Sequence, residues 1–201
     1  VAQTLKTFSR DFPESSLRAS ADLLCAEGLM QTGRHRQAIE YLDRAASDRT
    51  SNDVRPSALL RLGEANAAQR NWAASEQAFR TYLAENDTSP VWFQAQFGIG
   101  QARENQSRFR EGIDAYQEVV DRHEGETAAR AQFQIGECLY AMKEYADAAT
   151  ALLSVDILYA YPQWSAAALY EAGRCFEELG SAEEARVQFQ TVIDRFGETR
   201  W

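Results

Sequence analysis

The fold is decided by residues 53–87, which have the sequence DVRPSALLRLGEANAAQRNWAASEQAFRTYLAEND. Apolar residues recur there at helical spacing in two runs, one from Ala58 to Ala65 and one from Trp72 to Leu83. A short polar break at residues 69–71 separates the runs and suits a tight turn between antiparallel helices. This stretch therefore predicts a helical hairpin.

The same pattern recurs along the whole chain at intervals of 36 or 37 residues. One column of small residues is formed by Ala26, Gly63, Gly100, Gly136 and Gly173. Twelve residues later comes a second small column, Ala38, Ser75, Gly112, Ala148 and Ala185, and four residues later a large apolar one, Leu42, Phe79, Tyr116, Leu152 and Phe189. A fixed period of this length is typical of a solenoid, in which each unit buries its apolar face on its neighbours. We expect Gly63 to face Ser75, and Phe79 to fill the gap towards the next helix pair.

The pattern predicts ten helices and no strand, because no stretch shows sustained alternation. First helices are expected near 15–31, 54–69, 90–106, 127–142 and 163–179, and second helices near 34–48, 71–86, 108–123, 144–159 and 181–196. We interpret residues 1–201 as one repeat domain, with repeats near 14–50, 51–88, 89–125, 126–162 and 163–198. Residues 1–12 resemble the end of a preceding repeat, and residues 198–201 the start of another. We therefore expect the sequence to be a fragment of a longer chain.

Composition argues against several classes of partner. The formal net charge is −9, whereas proteins that bind nucleic acid usually have a basic surface. The negative charge also disfavours binding to anionic lipid membranes. No apolar run is long enough to cross a membrane, so direct insertion is not expected. The three cysteines are widely spaced, and we expect them to be small buried residues without disulfides.

The chain has little that suggests catalysis. Its two histidines, His35 and His123, lack the spacing of a helical metal pair, and we expect both to be exposed. The short motif Gly98-Ile99-Gly100 lies inside a predicted helix and follows no strand, which argues against a phosphate loop. We therefore predict no enzymatic activity, no metal and no cofactor.

The repeat unit resembles the tetratricopeptide repeat, in which small residues occupy matching places in both helices and an aromatic residue follows four positions later. Here those roles fall on Gly63, Ser75 and Phe79, with equivalents in the other repeats. The resemblance implies a right-handed α-solenoid of about five antiparallel helix pairs. It also implies a scaffold that binds a protein or peptide in a concave groove lined by the first helices.

The repeat unit is longer than usual, and this length and connectors such as DRFGETR are similar to those of bacterial envelope repeats. Examples are the repeats of the Tol-Pal-associated coordinator and the outer-membrane-assembly lipoprotein. This similarity favours a periplasmic or cell-envelope location.

In the family that the chain resembles, two first-helix positions face the groove: three before the small column and one after it. They and their neighbours give a predicted partner-binding set of Leu60, Phe97, Gln101, Arg130, Phe133, Glu137, Tyr140, Tyr170, Arg174 and Glu177. Aromatic rings flanked by polar groups could anchor a peptide. The alternative is that the rings only pack between adjacent first helices. The lysines and asparagines of the carboxylate-clamp type are absent from these positions, so that specificity is not expected.

Two other functions remain open at this stage. The chain could be a structural spacer or self-association module of a larger envelope protein, with Trp92, Trp164 and Trp201 near the connectors making the contacts. Alternatively, it could be a regulatory domain attached to an enzyme outside this sequence.

Overall fold

A computed structural model of the chain describes residues 7–8, 11–12, 14–51 and 53–197. Between residues 14 and 197, leaving aside residue 52, it contains ten α-helices and no strand, so the all-helical prediction is confirmed. The repeat end expected over residues 1–12 lies outside the described residues except for 7–8 and 11–12, and the repeat start expected at 198–201 lies wholly outside them. None of the described helices is long and apolar enough to cross a membrane.

The helices form five pairs and begin and end within three residues of their predicted bounds. The first helices are α1 (Arg18–Met30), α3 (Arg55–Ala68), α5 (Trp92–Glu104), α7 (Glu126–Ala141) and α9 (Pro162–Glu178). The second helices are α2 (His35–Ser47), α4 (Trp72–Glu85), α6 (Phe109–Arg122), α8 (Tyr145–Leu158) and α10 (Ala182–Phe196).

The chain divides into two compact units. Unit 1 spans Val1–Ala102 and contains α1 to α4 and most of α5; unit 2 spans Arg103–Trp201 and contains the end of α5 and α6 to α10. In unit 1 each helix from α1 to α4 packs on the next, and in unit 2 each helix from α6 to α10 does so. Neighbouring first helices also touch, α1 on α3 and α7 on α9. Each unit therefore has the layered packing of a repeat protein.

Close packing at the glycine columns holds the pairs together. In unit 1 the hydroxyl of Ser75 donates a 2.9 Å hydrogen bond to the carbonyl of Gly63, which confirms that these two small residues face each other. The ring of Phe79 lies between Gly63 and Gly98: a Cβ atom would lie 2.4 Å from the ring at Gly63 and 2.3 Å at Gly98. In unit 2, Leu152 covers Gly136 and Phe189 covers Gly173 in the same way.

The turn between the two helices of a pair has the same conformation in all five pairs. One residue there takes a left-handed backbone conformation with φ between 59° and 74°, namely Gly33, Arg70, Ser107, Lys143 and Gly180. The following N–H donates to the carbonyl five residues earlier, as from Arg34 to Leu29 and from Glu144 to Leu139. This is the Schellman closure of a helix, which satisfies carbonyls that would otherwise lack partners.

Candidate functional site

The predicted site residues of unit 1 do not form a polar cluster. Phe97 is a core residue with only 6% of its surface exposed, while Leu60 and Gln101 are half-buried. Glu64, which belongs to the same predicted column as Gln101, is paired with Arg61 of its own helix at 2.8 Å. The more open part of the predicted set lies in unit 2.

In unit 2, α7 and α9 bring Tyr140 and Arg174 together. The Arg174 guanidinium lies 4.9 Å from the centre of the Tyr140 ring and donates a 3.2 Å hydrogen bond to the Tyr140 hydroxyl. It also donates a 2.5 Å hydrogen bond to the carboxylate of Glu171, which is 8% exposed. Charge-assisted hydrogen bonds thus hold the side chains of Tyr140, Glu171 and Arg174 in one arrangement.

A second carboxylate, that of Glu104, enters the same region from the end of α5. It accepts a 2.6 Å hydrogen bond from the Tyr116 hydroxyl and two from the Gln134 amide, at 3.0 and 3.2 Å. Burial and the adjacent carboxylate raise the pKa of Tyr116, so its hydroxyl remains a hydrogen-bond donor. Hydrogen bonds from Tyr116 and Gln134 therefore stabilise the Glu104 carboxylate within the protein.

Glu137 is the third carboxylate of this region, and the described residues give it no hydrogen bond. Its side chain is half-buried. Burial, together with the nearby carboxylate of Glu171, raises the pKa of Glu137 to about 7, although the Arg174 guanidinium opposes the shift. We call the set Glu104, Gln134, Glu137, Tyr140, Glu171 and Arg174 the acidic cluster.

The predicted aromatic residues differ in accessibility. Phe133 is 9% exposed, and its ring centre lies 5.7 Å from that of Trp164, whose ring also faces the Arg130 guanidinium at 5.5 Å. Tyr170 packs on Phe189 with ring centres 5.6 Å apart but keeps 40% of its surface exposed. Because Tyr170 precedes Arg174 by one helical turn, it lies on the same face of α9 as the acidic cluster.

Glu177 is exposed and lines a surface pocket with residues of α10, including Phe189. Its neighbour Glu178 instead accepts a hydrogen bond of 3.5 Å from the Tyr140 hydroxyl.

Three residues of the acidic cluster were not predicted from the sequence: Glu104, Gln134 and Glu171. They do not occupy the two first-helix positions that the sequence predicted to face the groove. The spacing of Glu171 and Arg174, three residues apart on one helix, was the available signal for that ion pair.

The prediction that both histidines are exposed is wrong. Both are half-buried rather than exposed, and the Nδ1 atom of His35 is buried without a hydrogen-bond partner. His35 begins α2 at the position where α4, α6 and α8 begin with Trp72, Phe109 and Tyr145, so its ring occupies a place that favours aromatic packing. Burial lowers the pKa of His123.

The cysteines are free and buried, as predicted. Burial raises the pKa of Cys138 to about 12 and that of Cys175 to about 11, so both thiols remain protonated near neutral pH. Among the described residues, no group of three or more histidine, cysteine or acidic side chains could hold a metal ion.

Family models described as tetratricopeptide repeat match most of the chain. One model matches residues 26–90 and again 97–163, and a second matches residues 167–199. No curated protein matches the chain significantly.

Several solved structures are similar to the structure of this chain. YrrB, described as a tetratricopeptide repeat protein with an unusual peptide-binding site, is 18% identical, with a TM-score of 0.71 over 98% of this chain and 95% of YrrB. MamA from Desulfovibrio magneticus RS-1 is 15% identical, with a TM-score of 0.72 over 91% of this chain and 97% of MamA. A putative kinesin light chain from Podosopora anserina is 17% identical, with a TM-score of 0.72 over 93% of this chain and 99% of that one. At these identities the likeness shows the fold alone.

Proposed function

Because this chain belongs to the tetratricopeptide repeat family, we propose that it is a non-catalytic scaffold that binds a segment of a partner protein along its first helices. The observation that carries this proposal is the partly exposed surface of α7 and α9. There the half-buried side chains of Glu137, Tyr140 and Arg174 lie on the same side as the exposed ring of Tyr170. Elsewhere in unit 2 the first helices are lined mainly by small buried residues that serve packing.

The chemistry of this surface suits recognition of a peptide. Tyrosine and arginine are among the residues that contribute most to binding energy at protein interfaces. Here both are fixed by mutual contacts before any partner arrives, which reduces the ordering entropy lost on binding. The peptide-binding site described for YrrB, a protein of the same fold, is a precedent for such a role.

A peptide selection tests this function. A random 12-residue display library is panned on the immobilised chain, and the enriched peptides are measured on purified variants. We expect Tyr170→Ala to weaken these peptides about tenfold or more, since truncation of an aromatic anchor commonly has that effect. The matched control is Val187→Ala on α10, which shortens a residue that is 51% exposed outside the proposed surface.

Circular dichroism establishes that Tyr170→Ala remains helical before its affinity is interpreted. Failure to enrich any peptide, or equal binding by Tyr170→Ala and the parent chain, would contradict binding at this surface.

The cell-envelope location belongs to the same proposal. It is supported by the similarity of the repeat length and connectors to envelope-type repeats. Fractionation of the source organism, followed by detection with an antibody against this chain, tests the location. Recovery with cytoplasmic proteins would contradict it.

Self-association is a second candidate function, and one observation favours it. At the C-terminal end of α8, Ile157 is 77% exposed and Leu158 is 64% exposed. The residues at the same two places in the other repeats are nearly all polar or charged: Ser47 and Asp48, Ala84 and Glu85, Asp121 and Arg122, and Asp194 and Arg195. Adjacent exposed apolar residues at these two places, which the other repeats lack, are the kind of surface that binds another protein.

A further inference from the structure

The surface of α7 and α9 has an excess of negative charge that bears on the chemistry of its partner. Glu104, Glu137 and Glu171 reach it from three successive first helices, whereas Arg174 is the single cation of the acidic cluster. Of the other cations on these helices, Arg103 donates a 3.1 Å hydrogen bond to the backbone carbonyl of Glu111, and Arg130 lies over the ring of Trp164. The cluster therefore has a net charge of −2 when all its carboxyl groups are ionised.

Two of the three carboxylates are already stabilised within the protein. Glu104 receives hydrogen bonds from Tyr116 and Gln134, and Glu171 receives one from Arg174. Glu137 receives none from the described residues and is half-buried. It lies on the same face of α7 as Gln134, which binds Glu104, and Tyr140, which binds Arg174. Loss of solvent without a compensating hydrogen bond disfavours a carboxylate, so Glu137 is the group that a cation from outside would stabilise most.

The surroundings of Glu137 favour an organic cation over a metal ion. No group of three or more acidic side chains in the described residues is arranged to hold a metal. In contrast, tyrosine rings lie next to the carboxylates, and one of them already binds a guanidinium face-on, as Arg174 does over Tyr140. Aromatic faces beside carboxylates attract lysine and arginine side chains, whose alkyl stems can also pack on the exposed ring of Tyr170.

We propose that the segment bound on α7 and α9 is basic and that one of its lysine or arginine side chains pairs with Glu137. This inference rests on the proposed scaffold function and specifies the chemistry of its partner. The lysine or arginine of the bound segment supplies a positively charged partner for the Glu137 carboxylate. Arg174 keeps its hydrogen bonds to Glu171 and Tyr140. Acidic segments are excluded by repulsion from the same three carboxylates.

The peptide selection described above, with one further variant, tests the proposal. We expect the enriched peptides to share a lysine or arginine at a fixed position. Glu137→Gln should weaken them about tenfold or more, because it removes a charge-assisted hydrogen bond. Glu183→Gln is the matched control, since it removes one negative charge from an exposed helix position on α10 outside the cluster.

A peptide in which the shared lysine or arginine is replaced by glutamine completes a double-mutant cycle. It should bind the parent chain as weakly as the basic peptide binds Glu137→Gln, and it should lose little more on Glu137→Gln itself.

The pH dependence provides a readout that a purely structural role of Glu137 would not give. The charged and titratable groups that interact with Glu137 are Glu104 on α5, Cys138 on its own helix, and Glu171, Arg174 and Cys175 on α9. Tyr140 lies three residues further along α7, on the same face as Glu137. As the pH falls from about 8 to 5.5, Glu137 takes up a proton, so the basic peptide should bind more weakly. Glu137→Gln should show a much flatter profile.

The outcomes separate the two proposals. Enriched peptides that lack a shared cation, or that bind Glu137→Gln and the parent chain equally well, would refute the pairing with Glu137 but leave the scaffold function in place. Failure to enrich any peptide would refute both.

Discussion

At the scale of single residues, the contact between Phe79 and its two glycines makes the sharpest demand on the sequence. The ring is 3% exposed and has a glycine on each face, so it cannot move away from a methyl group added to either one. We predict that Gly98→Ala lowers the free energy of unfolding by about 1 kcal/mol, and by no more than about 2 kcal/mol. Overpacking costs about 1–3 kcal/mol, whereas alanine gains at most about 1 kcal/mol of helix propensity over glycine.

Urea denaturation of Gly98→Ala beside Gly28→Ala checks this prediction. Gly28 is also helical, but a Cβ atom there would meet nothing within 4 Å, so alanine at that position should stabilise the chain. In addition, Phe79→Leu should relieve the clash, and the double variant should lose less stability than the two single losses combined. A Gly98→Ala variant as stable as Gly28→Ala would show that the ring has room to shift.

The sequence revealed only one half of this contact. Gly63 belongs to a column that is small in all five repeats, and this regularity predicted its approach to Ser75. Gly98 lies two places before that column, where the other repeats have Leu24, Arg61, Gln134 and Glu171. Its role depends on the size of the Phe79 side chain in the preceding helix pair, and a repeat pattern averages out such local pairings.

At the scale of the helical hairpin, the left-handed residue at each turn offers a way to stabilise the protein. Lys143 is exposed and has φ of 63°, a conformation that costs an L-residue about 1 kcal/mol and costs glycine almost nothing. We predict that Lys143→Gly raises the free energy of unfolding by about 0.5–1 kcal/mol, net of the greater freedom that glycine gives the unfolded chain.

Thermal or urea unfolding measures the effect, and Lys143→Ala is the control because it removes the side chain but keeps the backbone strain. Gly180→Ala should act in the opposite direction and lose about 1 kcal/mol, since its φ is 74° and no neighbour obstructs a Cβ atom. If Lys143→Ala stabilises as much as Lys143→Gly, the lysine side chain rather than the backbone is responsible.

Helix positions were predictable because hydrophobic periodicity and the polar turns agree in every repeat. At Gly33 and Gly180 the residue type itself indicates the left-handed turn position, since glycine is common there. At Arg70, Ser107 and Lys143 no residue type signals it, although all three lie at the same place in the repeat. Tertiary packing of the two helices imposes the turn there against local preference.

At the scale of the whole molecule, the exposed apolar residues at the C-terminal end of α8 predict self-association. If Ile157 and Leu158 mediate contact between copies, the mass in solution should rise with concentration, and Ile157→Lys/Leu158→Lys should abolish the rise. Sedimentation equilibrium measures this. Both side chains are largely exposed, so the variant should retain its fold, and a mass that is independent of concentration in the parent chain would rule out this function.

The binding surface was less predictable than the fold. The resemblance placed Glu137, Tyr140, Tyr170 and Arg174 on one wall, and the structure gathers Glu137, Tyr140 and Arg174 in the acidic cluster, with Tyr170 on the same face of α9. Phe97 and Phe133 are core residues, which agrees with the alternative that the sequence left open for the aromatic rings. The charge supplied by Glu104 and Glu171 was not predicted. Burial depends on which ring fills which gap, and this is settled by three-dimensional packing rather than by spacing along the chain.

The position of Phe79 between two glycines also means that the repeats are not interchangeable modules. A recombination event that deleted residues 89–125 would keep the period intact but place Gln134 where Gly98 now meets the ring. The deletion would preserve every column of the repeat and still create a clash at the new junction. We therefore expect the removal of this one repeat to destabilise the chain at the new joint, although the period of the sequence is kept.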